Sequence, residues 1–111
     1  MLRKKHIRLS RDSKPLTLPG EFRLEQNNPN PFGADTTIYF SLPRESTVKL
    51  VVYNLREELA CILHAGPLSA GRYSLEWDGS DAEGQRLKNG SYVYRLEAEG
   101  YLASRRLTIK N

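Results

Sequence analysis

An all-β fold, an antiparallel sandwich of about seven short strands, is what this sequence predicts. Three observations carry that reading. Residues 71–77 alternate Tyr73, Leu75 and Trp77 with Ser74 and Glu76, and a period of two puts the large side chains on one face of a half-buried strand. Turn signals then crowd together at Asp78-Gly79, Ala82-Glu83-Gly84 and Lys88-Asn89-Gly90. These residue types accept the backbone angles of tight turns. The last turn feeds a second alternating run through Tyr92, Tyr94 and Leu96, and no segment sustains a helical period. Three turns between aromatic-rich strands make a corner of a sandwich rather than a catalytic loop.

Taken in order, residues 1–21 hold Pro15 and Pro19 and no sustained apolar period. They read as a basic, flexible linker or tail that reaches one domain over residues 22–111. From Asn27 to Phe32 regular structure is excluded, because Pro29 and Pro31 lack donors and bias the residues before them toward extended conformations. Phe32 is expected to plug the sandwich. Thr36–Leu42 reads as a strand with Ile38, Phe40 and Leu42 inward and Thr37, Tyr39 and Ser41 outward. After a turn at Pro43-Arg44-Glu45, Thr47–Tyr53 points Val48, Leu50 and Val52 inward. A turn over Asn54–Glu58 leads to a strand Leu59–Leu63, on which Leu59, Cys61 and Leu63 share the inner face and which Gly66-Pro67 should end. Gly71–Trp77 and Ser91–Glu99 are the best strands. Gly100 breaks the latter, and Ala103–Lys110 closes the sheet with Leu107 and Ile109 inward. Short strands with turn signals at this spacing suggest an immunoglobulin-like sandwich.

The net charge of +4 is unevenly spread. Residues 1–20 carry Arg3, Lys4, Lys5, Arg8, Arg11 and Lys14 against Asp12 alone, a net +5, while eleven basic and twelve acidic residues leave the remainder at −1. The basicity therefore belongs to the tail. Such a tail can touch phosphates or anionic lipid, but it reads first as a solvated leader. It lacks the interleaved aromatics that a single-strand nucleic-acid binder uses, so nucleic acid is not the expected partner. No run approaches the ~18 apolar residues of a membrane-spanning helix. Met1 to Lys5 begins like a secretory leader, yet Ile7 and Leu9 sit among His6, Arg8, Ser10 and Arg11 and form no apolar h-region. The chain is therefore expected to carry no signal peptide of its own.

Sites of chemistry are few. Asp78, Asp81 and Glu83 could suit calcium, but Ser80 and Ala82 occupy the third and fifth positions, where the calcium-loop pattern has Asp or Asn. Local capping of turn N–H groups is the expected role of these carboxylates. His6 and His64 are the only histidines, and neither stands near a nucleophile in a glycine-rich elbow. With the lone Cys61 they also fall short of an ordinary zinc site. Gly79, Gly84 and Gly90 precede no helix with Lys-Ser/Thr, which excludes a phosphate loop. Trp77 and Tyr73 read as core, and Cys61 as a buried thiol with no disulfide partner. The expectation is a protein without catalytic residues, cofactor or metal.

Several of these residues also carry a resemblance. Ser69-Ala70-Gly71-x-Tyr73, then Trp77-Asp78-Gly79-x-Asp81-x-x-Gly84, then Leu87-x-x-Gly90-x-Tyr92 resembles the immunoglobulin-like module of flagellar hook-capping proteins. It resembles still more the type A C-terminal sorting domain of the bacterial type IX secretion system. Upstream, Gln26-Asn27-Asn28-Pro29-Asn30-Pro31-Phe32 is similar to the Q-N-Y-P-N-P-F lead-in of sorting domains, with Asn28 where a Tyr is usual. The likeness spans about Phe22 to Asn111. It implies a non-enzymatic domain that directs an upstream passenger across the outer membrane, the passenger reaching the surface or medium by way of the periplasm. Its implied partners are the secretion machinery, the covalent passenger and a sortase-like surface protease that cuts before Phe22. It further implies that the terminal strand, with Arg105, Arg106 and Lys110, is what the machinery recognises. The same charges would serve to keep an edge strand from aggregating. A termination at Asn111 suits a terminal signal, and the missing leader implies either that this chain is the last piece of a longer protein, the favoured reading, or that it is a stray open reading frame. A structural module of the hook-cap type is the alternative.

Overall fold

Alternation of apolar and polar side chains is realised as two packed sheets. The computed structural model describes residues 7–12 and 18–111. Its strands are β1 (Ile7–Arg11), β2 (Arg23–Leu24), β3 (Thr36–Leu42), β4 (Ser46–Asn54), β5 (Leu59–Leu68), β6 (Gly71–Trp77), β7 (Gly90–Ala98) and β8 (Tyr101–Ile109). One sheet has the order β1-β6-β3-β2 and the other β5-β4-β7-β8, with antiparallel pairing between neighbouring strands. The inward sets Ile38, Phe40 and Leu42; Val48, Leu50 and Val52; Tyr73, Leu75 and Trp77; Tyr94 and Leu96; and Leu107 and Ile109 form one buried core. The sandwich predicted from the sequence is the fold observed, with eight strands.

Three local expectations are corrected. Ile7–Arg11 is not part of a free tail but a full antiparallel partner of β6, from Ile7 opposite Trp77 to Arg11 opposite Tyr73. Ile7 and Leu9 pack against the core. Two apolar residues among charges make too short a pattern to read as a strand; the uncovered edge of β6 supplies the partner. Arg3, Lys4, Lys5 and Lys14, which carry most of the tail's charge, lie outside the described residues.

β5 does not end at Gly66-Pro67 but runs on to Leu68, with Pro67 opposite Thr47. It is an edge strand of its sheet, the place in a sheet where proline is tolerated. Nor does Leu59 join Cys61 and Leu63 inside. The β4–β5 register shifts between Leu50 and Val51 and again between Val52 and Tyr53. An extra residue at a bulge reverses the phase beyond it. Leu59, opposite Tyr53, is therefore 60% exposed while Cys61 and Leu63 stay buried.

In the Asn54–Glu58 turn Glu57 takes the left-handed conformation at φ 64, which glycine would adopt more easily. Asn54 Oδ1 holds the turn by accepting the N–H groups of Arg56 (2.8 Å) and Glu58 (2.9 Å).

Candidate functional site

The irregular segment Asn27–Phe32 is hydrogen-bonded to strands of both sheets. Asn27 is buried. Its N–H donates to Tyr94 Oη (2.8 Å), and its Nδ2 donates to Thr36 Oγ1 (3.0 Å) and the Pro29 carbonyl (3.2 Å). Thr36 Oγ1 donates in turn to that same carbonyl (2.8 Å). Asn28 exchanges backbone hydrogen bonds with Thr37 on β3 (2.9 and 3.0 Å). The peptide bonds before Pro29 and Pro31 are both cis.

From there the segment crosses to β8. Asn30 Oδ1 accepts the Thr108 N–H (2.9 Å), the Phe32 N–H donates to the Thr108 carbonyl (3.0 Å), and the Lys110 N–H donates to the Phe32 carbonyl (2.9 Å). Phe32 thus forms a parallel bridge with Ile109. Gln26 Nε2 adds a bond to the Arg106 carbonyl (2.7 Å). The segment and the terminal strand are one hydrogen-bonded unit.

Phe32 is the expected plug. Its ring is 2% exposed and lies 5.9 Å from the Trp77 ring, tilted by 55°. Gly79 permits this packing. At φ +84 it occupies the left-handed region, and a Cβ there would stand 3.3 Å from Phe32 Cε2. The corner that follows is tied by its own side chains. Trp77 Nε1 donates to the Ser80 carbonyl (2.9 Å). Asp78 Oδ1 accepts from Ser80 N–H (3.0 Å) and from Ser80 Oγ, and Asp81 Oδ1 accepts from Glu83 N–H (3.0 Å) and Gln85 N–H (2.9 Å). These carboxylates cap turns. Among the described residues no three His, Cys, Asp or Glu side chains are grouped to hold a metal. Gly84 takes φ +83 at the second turn, Gly90 opens β7 opposite Ile109, and Tyr92 Oη donates to the Lys88 carbonyl (2.8 Å).

The three basic residues of the terminal strand have unlike roles. Arg105 turns over the open side of the sandwich, where its Nε donates to the Leu24 carbonyl on β2 (2.8 Å). It fastens one sheet to the other. Arg106 and Lys110, exposed like Arg105, form no ion pair among the described residues. Sequence reasoning missed Arg86 and the fixing of Asn111. Arg86 Nη1 donates to the Asp78 carbonyl (2.8 Å). With the Asn111 amide oriented so that both its groups are satisfied, Nδ2 donates to the Gly33 carbonyl (3.0 Å) and Oδ1 accepts from Arg86 Nε (2.9 Å). The corner, the segment and the end of β8 therefore meet at Arg86. No sequence spacing signals that meeting.

Comparison with known proteins agrees with this geometry. The family model described as the FlgD Ig-like domain matches residues 27–101, from the buried Asn27 to the start of β8. The chain belongs to the FlgD Ig-like domain family. A search of curated proteins finds no significant match. Among solved structures, the chain is similar to part of dimeric latent PorU from Porphyromonas gingivalis, with a TM-score of 0.60 and 19% identity over 80% of this chain and 9% of that one. It is also similar to the alkylpurine DNA glycosylase AlkC of Pseudomonas fluorescens, solved on DNA containing an abasic site analogue, with a TM-score of 0.52 and 15% identity over 82% of this chain and 31% of that one. At these identities both likenesses concern the fold alone. The chain spans less than a third of either protein.

Proposed function

We propose that this FlgD Ig-like domain works as a non-catalytic C-terminal sorting domain, which directs an upstream passenger across the outer membrane by the type IX secretion system. The observation that carries the reading is the union of Asn27–Phe32 with β8 through Asn30, Phe32 and Lys110. The lead-in that resembles sorting domains and the terminal strand that the resemblance implicates in recognition are thereby one hydrogen-bonded unit. In this reading the machinery reads the outer side of that unit, with Arg106 and Lys110 as contacts and Arg105 as a fastener. A surface protease then releases the passenger by cutting ahead of Phe22.

The test is a fusion of residues 1–111 behind a periplasm-directed reporter in a bacterium that has the type IX system. The reporter is expected at the cell surface or in the medium, and in the periplasm of a secretion-deficient strain. Arg106→Ala should reduce export with a change in stability of only about 0.5 kcal/mol. Arg105→Ala should instead lower stability by about 0.5–1.5 kcal/mol, because it removes the bond to the Leu24 carbonyl. An intact fusion that folds normally yet stays in the periplasm of the competent strain rules the sorting role out. The second reading, a structural module that contacts other subunits as an immunoglobulin-like half of a hook cap would, is favoured by the family match over residues 27–101 and would then stand.

A further inference from the structure

The outer face of the β1-β6-β3-β2 sheet carries a cleft that the sorting reading does not use. Its floor is Tyr39, which is 47% exposed in the middle of β3. Among the described residues no ring or guanidinium group stacks on it. Its carbonyl is fixed by the Glu25 N–H (2.9 Å), so the ring stands on rigid backbone between Ser74 on β6 and the chain leaving β2. Next along the face, Ser41 lies opposite both Arg72 and Arg23. Arg23 Nε is held by Glu25 Oε2 at 2.8 Å. The stretch Pro19-Gly20-Glu21 lines the same open cleft, whose volume is about 310 Å³.

The geometry points to a binding site for a neutral pyranose sugar, a mono- or disaccharide. Among the described residues two arginines, Arg23 and Arg72, and two glutamates, Glu21 and Glu25, line the cleft, and their formal charges cancel, which does not favour phosphate or nucleic acid. A sugar hydroxyl both donates and accepts, and guanidinium, carboxylate and serine side chains set side by side offer it both partners. The apolar C–H face of a pyranose matches an open aromatic ring that is otherwise left in water. The volume is at the lower end of small-molecule sites, in keeping with one or two rings.

The test uses isotope-labelled chain of residues 1–111 and titrates maltose, cellobiose, chitobiose and methyl mannoside, with inorganic phosphate as the contrast. At least one of the four pyranosides is expected to give saturable amide shifts, at millimolar concentration, confined to Tyr39, Ser41, Arg23, Arg72 and their neighbours. Phosphate should give none. Tyr39→Ala should weaken binding about tenfold, the size of an aromatic stacking contribution. Tyr39→Phe should keep most of it, and the fluorescence of buried Trp77 should report an unchanged fold in both. No saturable shift with any of the four sugars, shifts with phosphate in their place, or undiminished binding by Tyr39→Ala would each overturn the assignment.

Discussion

The Tyr94 hydroxyl joins two stretches that are almost seventy residues apart in the chain. It accepts the Asn27 N–H at 2.8 Å and donates to the Glu25 carbonyl at 2.7 Å. Both the tyrosine and Asn27 are buried. Removing the hydroxyl leaves a buried donor without a partner, which costs more than a typical hydrogen bond contributes. Tyr94→Phe is therefore expected to lower stability by about 1–3 kcal/mol, seen as a lower urea midpoint at unchanged slope. Tyr92→Phe is the matched control. Its hydroxyl bonds the Lys88 carbonyl in an exposed setting, where water replaces the lost partner, and it should cost less than about 1 kcal/mol. Equal losses in the two variants would mean that the buried bond does not hold the segment. Alternation places Tyr94 inward from sequence alone. It says nothing of where the hydroxyl goes, because the partner is set by how Asn27–Phe32 folds back.

At the scale of the strand, legibility followed the length and purity of the pattern. β3 and β6 have the bounds that alternation predicts, Thr36–Leu42 and Gly71–Trp77, since each carries three large apolar residues at strict period two. β5 broke the pattern through its two register shifts, which are properties of a pair of strands and not of either sequence. The corner at Trp77–Gly84 was readable because Asp and Gly act locally, whereas the Arg86–Asn111 contact is long-range and silent. β1 offers the sharpest test. It covers the edge of β6 along five paired positions and brings Ile7 and Leu9 to the core. Deleting residues 1–12 should remove half-buried aliphatic surface and open a long edge. The expected loss is roughly 1–2 kcal/mol after the regained chain entropy is subtracted, or a melting point lower by about 4–10 °C. Light scattering on heating should rise as well, because an uncovered strand recruits others. A melting curve superimposable on that of the whole chain would return Ile7–Arg11 to the role of a tail.

Considered as a whole, the molecule has one core, and two of the ionisable groups inside it, Cys61 and Tyr94, are pushed well above their ordinary values. Burial raises the Cys61 thiol from 9.0 to about 11, with Asp81 and then Asp78 adding to the rise. Burial likewise lifts Tyr94 from 10.0 to about 12, against the opposing effects of the Asn27 hydrogen bond and Arg105. In both cases the fold disfavours the anion. Above about pH 9 the unfolded chain gives up the thiol proton while the folded chain keeps it, so the folded state binds more protons and stability falls with rising pH. The Cys61 contribution is complete below its unfolded value of 9.0 and is lost as pH climbs through about 11; that of Tyr94 follows between 10.0 and about 12. Each is of order 2 kcal/mol, which is a large part of the stability of a domain this small. Urea midpoints measured from neutrality to about pH 11 should therefore drop steeply above pH 9. Cys61→Ala should begin from a lower midpoint, because it leaves a small cavity, yet show a shallower decline across that interval. Two declines of equal slope would mean that the thiol ionises freely in the folded protein, and that the strand from Leu59 to Leu63 does not turn Cys61 inward.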